Sequence, residues 1–160
     1  MVKVLFVCMG NICRSPAAEG TMKSLIQKHN LSDHVYCESA GTSAHHVGQP
    51  ADERMRTHAL KRGLNLESLA QQFKYEHFMG FDYILTMDTA NYKNVLRLDP
   101  EGQFTEKVIP FYKLCHKFSI NEVPDPYYGG SSGFEAVLDI VEDGCRGFLD
   151  RFELLKYEGF

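Results

Sequence analysis

Two short stretches carry residue types whose spacing could do chemistry. The first is VLFVCMGNICRSPAAE, residues 4–19, in which Cys8 and Arg14 bracket five residues immediately after an apolar run and immediately before an alanine-rich segment. A loop of that length can curl around one tetrahedral anion, with successive backbone N–H groups of Met9, Gly10, Asn11, Ile12 and Cys13 pointing inward and a helix amino end behind them. Arg14 adds a planar fork of donors that can grip two oxygens of a phosphate, which lysine cannot copy. Gly10 supplies backbone freedom, and the Asn11 side chain can brace the loop by hydrogen bonds to its neighbours. Among such donors Cys8 is predicted to be held largely as a thiolate, the nucleophilic form of the residue. Ser15 can either cap the following helix or donate its hydroxyl toward that sulfur. Each of these residues alone reads as an ordinary packed or surface group; joined at this spacing they read as a phosphate site with a nucleophile on its floor.

The second stretch is DPYYG, residues 125–129. Asp125 offers a carboxyl that could act as an acid and then a base, and Tyr127 and Tyr128 offer aromatic faces able to stack on a phenyl ring.

The surrounding elements must bring these stretches together. Residues 2–7 form a continuous apolar run broken by one lysine, as a buried parallel strand requires. Ser15 and Pro16 open a helix with Met22, Leu25, Ile26 and His29 on one face. A strand is expected near HVYCES, followed by a turn at SAGT, residues 39–42, and a helix over about 51–62 that ends at Gly63. FDYILTMD, 81–88, reads as the next strand, a helix carrying Tyr92, Val95 and Leu96 follows, and KVIP reads as a fourth strand stopped by Pro110. Phe134, Val137, Leu138, Val141, Cys145, Phe148, Leu149 and Phe152 recur at helical spacing, with Ser132 and Glu135 as a capping box. Strands alternating with helices predict a three-layer α/β/α fold on a parallel sheet, in which ligands sit beyond the carboxyl ends of the strands. The loop from Cys8 to Arg14 occupies that place.

With 160 residues the chain has the length of one domain, 1–160, without repeats or a linker. A net charge of -4 gives no broad attraction to nucleic acid or to anionic membranes, so phosphate binding must be local. The apolar start is too short for a signal peptide and no run reaches membrane-spanning length, so the expected compartment is the cytoplasm. Five irregularly spread cysteines suit reduced thiols better than a disulfide framework, and no second cysteine pair at zinc spacing joins Cys8 and Cys13, so neither a metal nor another cofactor is expected.

VCMGNICRSP followed far downstream by DPYYG closely resembles the low-molecular-weight protein tyrosine phosphatase family, over essentially the whole chain. The resemblance implies a four-stranded parallel sheet flanked by helices and a metal-free reaction through a phosphocysteine. It also implies the roles: Cys8 attacks phosphorus, Arg14 binds the phosphoryl oxygens, Asp125 protonates the leaving phenol and then activates water, and Asn11, Ser15 and Ser39 brace the loop. Cys13 is implied as a reversible disulfide partner of Cys8, and a cleft-wall residue falls at His45. Where relatives carry a histidine that supports the loop asparagine, this chain has Ser68 nearby, and Met9 stands where leucine is usual. Expected partners are phosphotyrosine-bearing proteins, with inorganic phosphate as product and inhibitor, and a chain that is monomeric or weakly self-associating. Use of Asp125 as an acid predicts a bell-shaped pH profile with an acidic optimum. The competing readings are a thioredoxin-coupled arsenate reductase of the same fold, which needs two further cysteines close together on a mobile segment, and a non-catalytic phosphotyrosine-binding module.

Overall fold

Four strands form one all-parallel sheet in the order β2-β1-β3-β4, so β1 (Val2–Cys8) is central, with β2 (Val35–Gly41) on one side and β3 (Tyr83–Thr86) and β4 (Val108–Pro110) on the other. In the computed structural model, which describes residues 1–127, 130–152 and 154, the register pairs Val2 with Val35, Cys8 with Gly41 and Val7 with Thr86. Successive side chains of a strand point to opposite faces, and both faces of β1 are covered. Val4, Phe6 and Cys8 pack with residues of α1 (Arg14–Lys28) and α5 (Ser131–Arg151). Leu5 and Val7 pack on the other side with Phe73, Phe78 and Val95, the last from α4 (Thr89–Leu96). The short helices α2 (Glu53–Lys61) and α3 (His77–Gly80) complete the layers.

The chain leaves β1 toward β2 on one side and later returns to β3 on the other, which opens a crevice at the carboxyl end of β1. Cys8, the last residue of β1, stands at that crevice.

Three sequence expectations are revised. SAGT is not a turn throughout: Ser39, Ala40 and Gly41 continue β2, because their backbone stays in register with Phe6, Val7 and Cys8. Ser15 does not cap α1; Cys13 holds the cap position without a side-chain bond, and the Ser15 hydroxyl is drawn toward the loop. The box of Ser132 and Glu135 does not form, since Gly130 precedes the helix and Glu135 instead receives Arg62 Nη2 at 2.7 Å and pairs with His58, tying α2 to α5. α2 does close near Gly63, which adopts a φ of 78°.

α5 also anchors the segment that leads to the second motif. The buried Asp143 carboxylate accepts the backbone N–H groups of His116, Lys117 and Phe118 at 3.1, 2.9 and 3.2 Å. A Cβ on Gly147 would lie 1.8 Å from the Leu114 carbonyl oxygen, so only glycine lets α5 approach so closely. Further along, Val123 N–H donates to Met87 O at 2.8 Å, which fixes this connection beside the end of β3. Among the described residues no helix is long and apolar enough to cross a membrane.

Candidate active site

The loop after β1 is built around Asn11, which takes a left-handed backbone at φ 56°. That conformation is uncommon for a residue with a side chain, and asparagine is among those that tolerate it. Here every side-chain group of Asn11 is used. Its Nδ2 donates to Ser15 Oγ at 2.8 Å and to Ser39 Oγ at 2.9 Å, and its Oδ1 accepts the Gln71 N–H at 2.9 Å. Ser39 in turn donates to the buried Glu19 carboxylate, which also holds Lys23 Nζ at 2.6 Å.

The directions of these bonds follow from the proton inventory. Glu19 fixes the Ser39 proton, so the Ser39 oxygen must accept from Asn11, and Asn11 then presents its second N–H to Ser15. The Ser15 hydroxyl keeps one proton to give, and Cys8 Sγ lies at 3.0 Å, against 3.5 Å for the Ala40 carbonyl. The Asn11 backbone N–H reaches the same sulfur at 3.3 Å. Two hydrogen bonds, from Ser15 and from the Asn11 backbone, thus converge on Cys8 Sγ.

Arg14, the first residue of α1, is almost wholly buried and points into the crevice. Its Nη1 donates to Asp88 Oδ2 at 2.7 Å and to the Val123 carbonyl at 3.0 Å, while Nη2 lies 3.5 Å from Asp125 Oδ2. Burial works against its charge, but Cys8, the bond to Asp88 and the Asp125 carboxylate outweigh burial and raise its pKa further, so the guanidinium stays charged. Asp88 is held by its own role as the cap of α4, accepting Asn91 N–H at 2.8 Å in a capping box. Asp125 Oδ1 accepts the Tyr127 N–H at 3.0 Å.

Around these groups lies a cleft of about 170 Å³ lined by Cys8, Arg14, Asp125, Tyr127, His45 and His46, with loop residues Met9, Gly10, Ile12 and Cys13 on its floor and rim. The first motif and the second, more than a hundred residues apart in sequence, therefore share one cleft. Ser15 and Ser39 lie behind it, as the bonds above describe. His45 is on the wall, its N–H on Ser43 Oγ at 3.0 Å, with its ring edge-on to that of His46 at 4.7 Å. Met9 is half exposed and Ile12 is buried. Tyr128 lies outside the described residues. The Asn11 carbonyl is held by the Gln71 backbone rather than by a side chain near Ser68.

Cys13 is buried beside Cys8; burial, with the charges of Asp52, Cys8 and Asp125, pushes its thiol well up. Cys37 sits in β2 and Cys145 in α5, both in the core, and Cys115 is partly buried. Among the described residues no group of three or more histidine, cysteine or carboxylate side chains is placed to hold a metal.

Several participants were not singled out from sequence: Glu19, Gly41, Asp52, Arg54, Gln71, Asp88 and His46. For Asp88 a signal exists, an aspartate at the carboxyl end of a strand opening an Asp-x-x-Asn cap. Gly41 stands in SAGT, where a glycine reads as a turn residue but here serves close packing. Its glycine is required by proximity, since a Cβ there would lie 2.7 Å from Met9 O and 3.0 Å from Asn11 N.

A doubly covered parallel sheet with a cysteine-and-arginine loop at the end of its central strand, faced by a carboxylate from the far end of the chain, defines an α/β protein of the phosphatase type. The sequence profile of the low molecular weight phosphotyrosine protein phosphatases matches residues 3–158. A Synechocystis protein named as a low molecular weight protein-tyrosine-phosphatase is 50% identical over 92% of this chain and 94% of its own. The rat low molecular weight phosphotyrosine protein phosphatase is 37% identical over the same shares. A crystal structure of a protein tyrosine phosphatase from Entamoeba histolytica, with Hepes in its active site, superimposes with a TM-score of 0.92 at 46% identity, covering 98% of this chain and 99% of that one. The chain belongs to the low molecular weight phosphotyrosine protein phosphatase family.

Proposed function

We propose that this chain hydrolyses phosphotyrosine in proteins, and aryl phosphates generally, through a phosphocysteine. The Cys8 thiolate attacks phosphorus while the phosphoryl oxygens are held by the loop N–H groups and Arg14. As the S–P bond forms and the P–O bond to the phenol breaks, protonated Asp125 passes its proton to the departing oxygen, so that a neutral phenol leaves. Asp125, now a carboxylate, takes a proton from water as that water attacks phosphorus. The S–P bond breaks, and phosphate leaves with the thiolate restored. Splitting the displacement in two replaces one difficult step by two easier ones, and positioning with charge stabilisation does most of the work in phosphoryl transfer. Ser15, already aimed at Cys8 Sγ, stabilises the sulfur as it departs in the second step. Tyr127 and His45 on the cleft wall suit a flat aromatic ring, which favours aryl over compact alkyl esters. Cys13, which lines the same cleft, would serve as the oxidative partner of Cys8.

The observation that carries this reading is the convergence on Cys8 Sγ of the Asn11 N–H and the Ser15 hydroxyl, with Arg14 and Asp125 facing it across the same cleft. Rapid mixing with para-nitrophenyl phosphate tests it. A burst of nitrophenol near one equivalent is expected, with loss of both burst and turnover in Cys8→Ser. Asp125→Ala should lower turnover of phenyl phosphate by about 10²–10⁴-fold. Turnover that survives in Cys8→Ser would exclude the phosphocysteine route.

A further inference from the structure

We propose that Arg54, on the exposed side of α2, is a positioning residue that holds the acid-bearing segment in register with the nucleophile loop. The inference rests on Asp125 acting as the general acid. Asp52 N–H donates to Ile12 O at 2.7 Å, which pins the start of α2 directly to the loop that carries Cys8. Asp52 caps that helix, accepting the Arg54 and Met55 N–H groups at 2.8 and 3.3 Å. Its carboxylate also grips the Arg54 side chain at two points, Nε and Nη2, each at 3.2 Å. So oriented, Nη2 donates to the Tyr127 carbonyl at 3.1 Å, and the guanidinium lies over the Tyr127 ring at 5.3 Å and the Phe134 ring at 4.9 Å. Tyr127 N–H is bonded to Asp125 Oδ1. A continuous path of short contacts therefore runs from Ile12 through Asp52, Arg54 and Tyr127 to the acid.

The chemistry of the side chain matters to this path. One planar fork chelates a carboxylate, donates to a carbonyl and offers its flat faces to aromatic rings, whereas an ammonium group is a single point charge that cannot do all three. The Arg54 side chain is about half exposed, at 48%, and it meets the core at the Phe134 ring. Its effect should fall on the placement of Asp125, and hence on protonation of the leaving group, more than on folding.

The test compares kcat/KM for phenyl phosphate, whose leaving group needs a proton, with that for 2,4-dinitrophenyl phosphate, whose leaving group does not. Arg54→Ala should lose about tenfold on phenyl phosphate and less than about threefold on the dinitrophenyl ester, since misplacing an acid forfeits part of its contribution. Arg54→Lys should show the same selective loss, which keeps the test open if the alanine variant folds poorly. In an Asp125→Ala background, Arg54→Ala should add nothing. Equal losses on both esters, full rescue by lysine, or an additive loss in that background would each overturn the inference. Should Asp125→Ala itself lack leaving-group dependence, the assignment of the acid falls instead, and that result is separable from failure of Arg54 alone.

Discussion

Gly41→Ala perturbs the nucleophile loop without touching any side chain that would meet the substrate. Gly41 ends β2 opposite Cys8, and its neighbours donate to the loop: Thr42 N–H to Cys8 O and Ser43 N–H to Met9 O, both at 2.9 Å. A methyl group at this position would lie 2.7 Å from the Met9 carbonyl oxygen and 3.0 Å from Asn11 N and Gly10 C. Those are backbone atoms, so no side chain can swing away to make room. Bringing Met9 O out to 3.4 Å, where ordinary contact begins, requires a retreat of about 0.7 Å. If a misplacement of about 1 Å costs about 10²-fold in rate, a shift of this size should cost roughly 20–30-fold in kcat/KM. The overpacking should also cost about 2 kcal/mol, lowering Tm by roughly 4–8 °C. Steady-state kinetics with para-nitrophenyl phosphate, inhibition by inorganic phosphate and thermal unfolding measure the three quantities. The inhibition constant for phosphate should rise along with the kinetic loss, because in the proposed mechanism the same N–H groups would hold both anions. Gly80→Ala serves as a control, since a Cβ there meets nothing within 4 Å. Wild-type kinetics and phosphate affinity in Gly41→Ala would refute the idea that β2 sets the shape of the loop, whatever happened to Tm.

Two further predictions concern protonation. Burial pushes the thiols of Cys37 and Cys115 up to about 12 and that of Cys145 well up, so these three stay protonated and unreactive near neutral pH. Iodoacetate at pH 7 should therefore modify Cys8 first and be slowed by phosphate; peptide mass spectrometry showing Cys37 or Cys145 alkylated as fast in the folded protein would contradict this. Burial acts to raise the Asp52 pKa, but the Arg54 side chain and the Met55 and Arg54 N–H groups outweigh it and lower it. A carboxylate with a folded pKa below its unfolded value stabilises the fold fully above the unfolded pKa, about 3.9, and loses that contribution as pH falls through the folded value. Urea unfolding between pH 6 and 2.5 should accordingly show a shallower acid decline in Asp52→Asn, and an unchanged slope would remove Asp52 from the account.

The contrast between what was legible in the sequence and what was not follows the reach of each interaction. Asp125 could be picked out because it stands in a compact motif, whereas Asp88, which pairs with the same Arg14, stands alone and is significant only through a contact 74 residues away in sequence. Gln71 acts through its backbone, so its side-chain type says nothing about its bond to Asn11. Glu135 reads in the sequence as part of a local cap, but His58 of α2 and Arg62, just beyond that helix, take its carboxylate.

By itself the sequence determined the features that neighbours along the chain can enforce: the apolar run of β1, the Cys8-to-Arg14 spacing that curls a loop, and the 3.6-residue repeat of α5. These depend on backbone geometry and on residues within a turn or two of one another. Tertiary structure alone decided that β2 lies against the loop closely enough to demand glycine at position 41, and that Asp88, Arg54 and Glu19 reach the surroundings of the Cys8 loop from three separate elements. Those relations arise when the sheet order β2-β1-β3-β4 folds distant segments into one crevice, and no local periodicity encodes them.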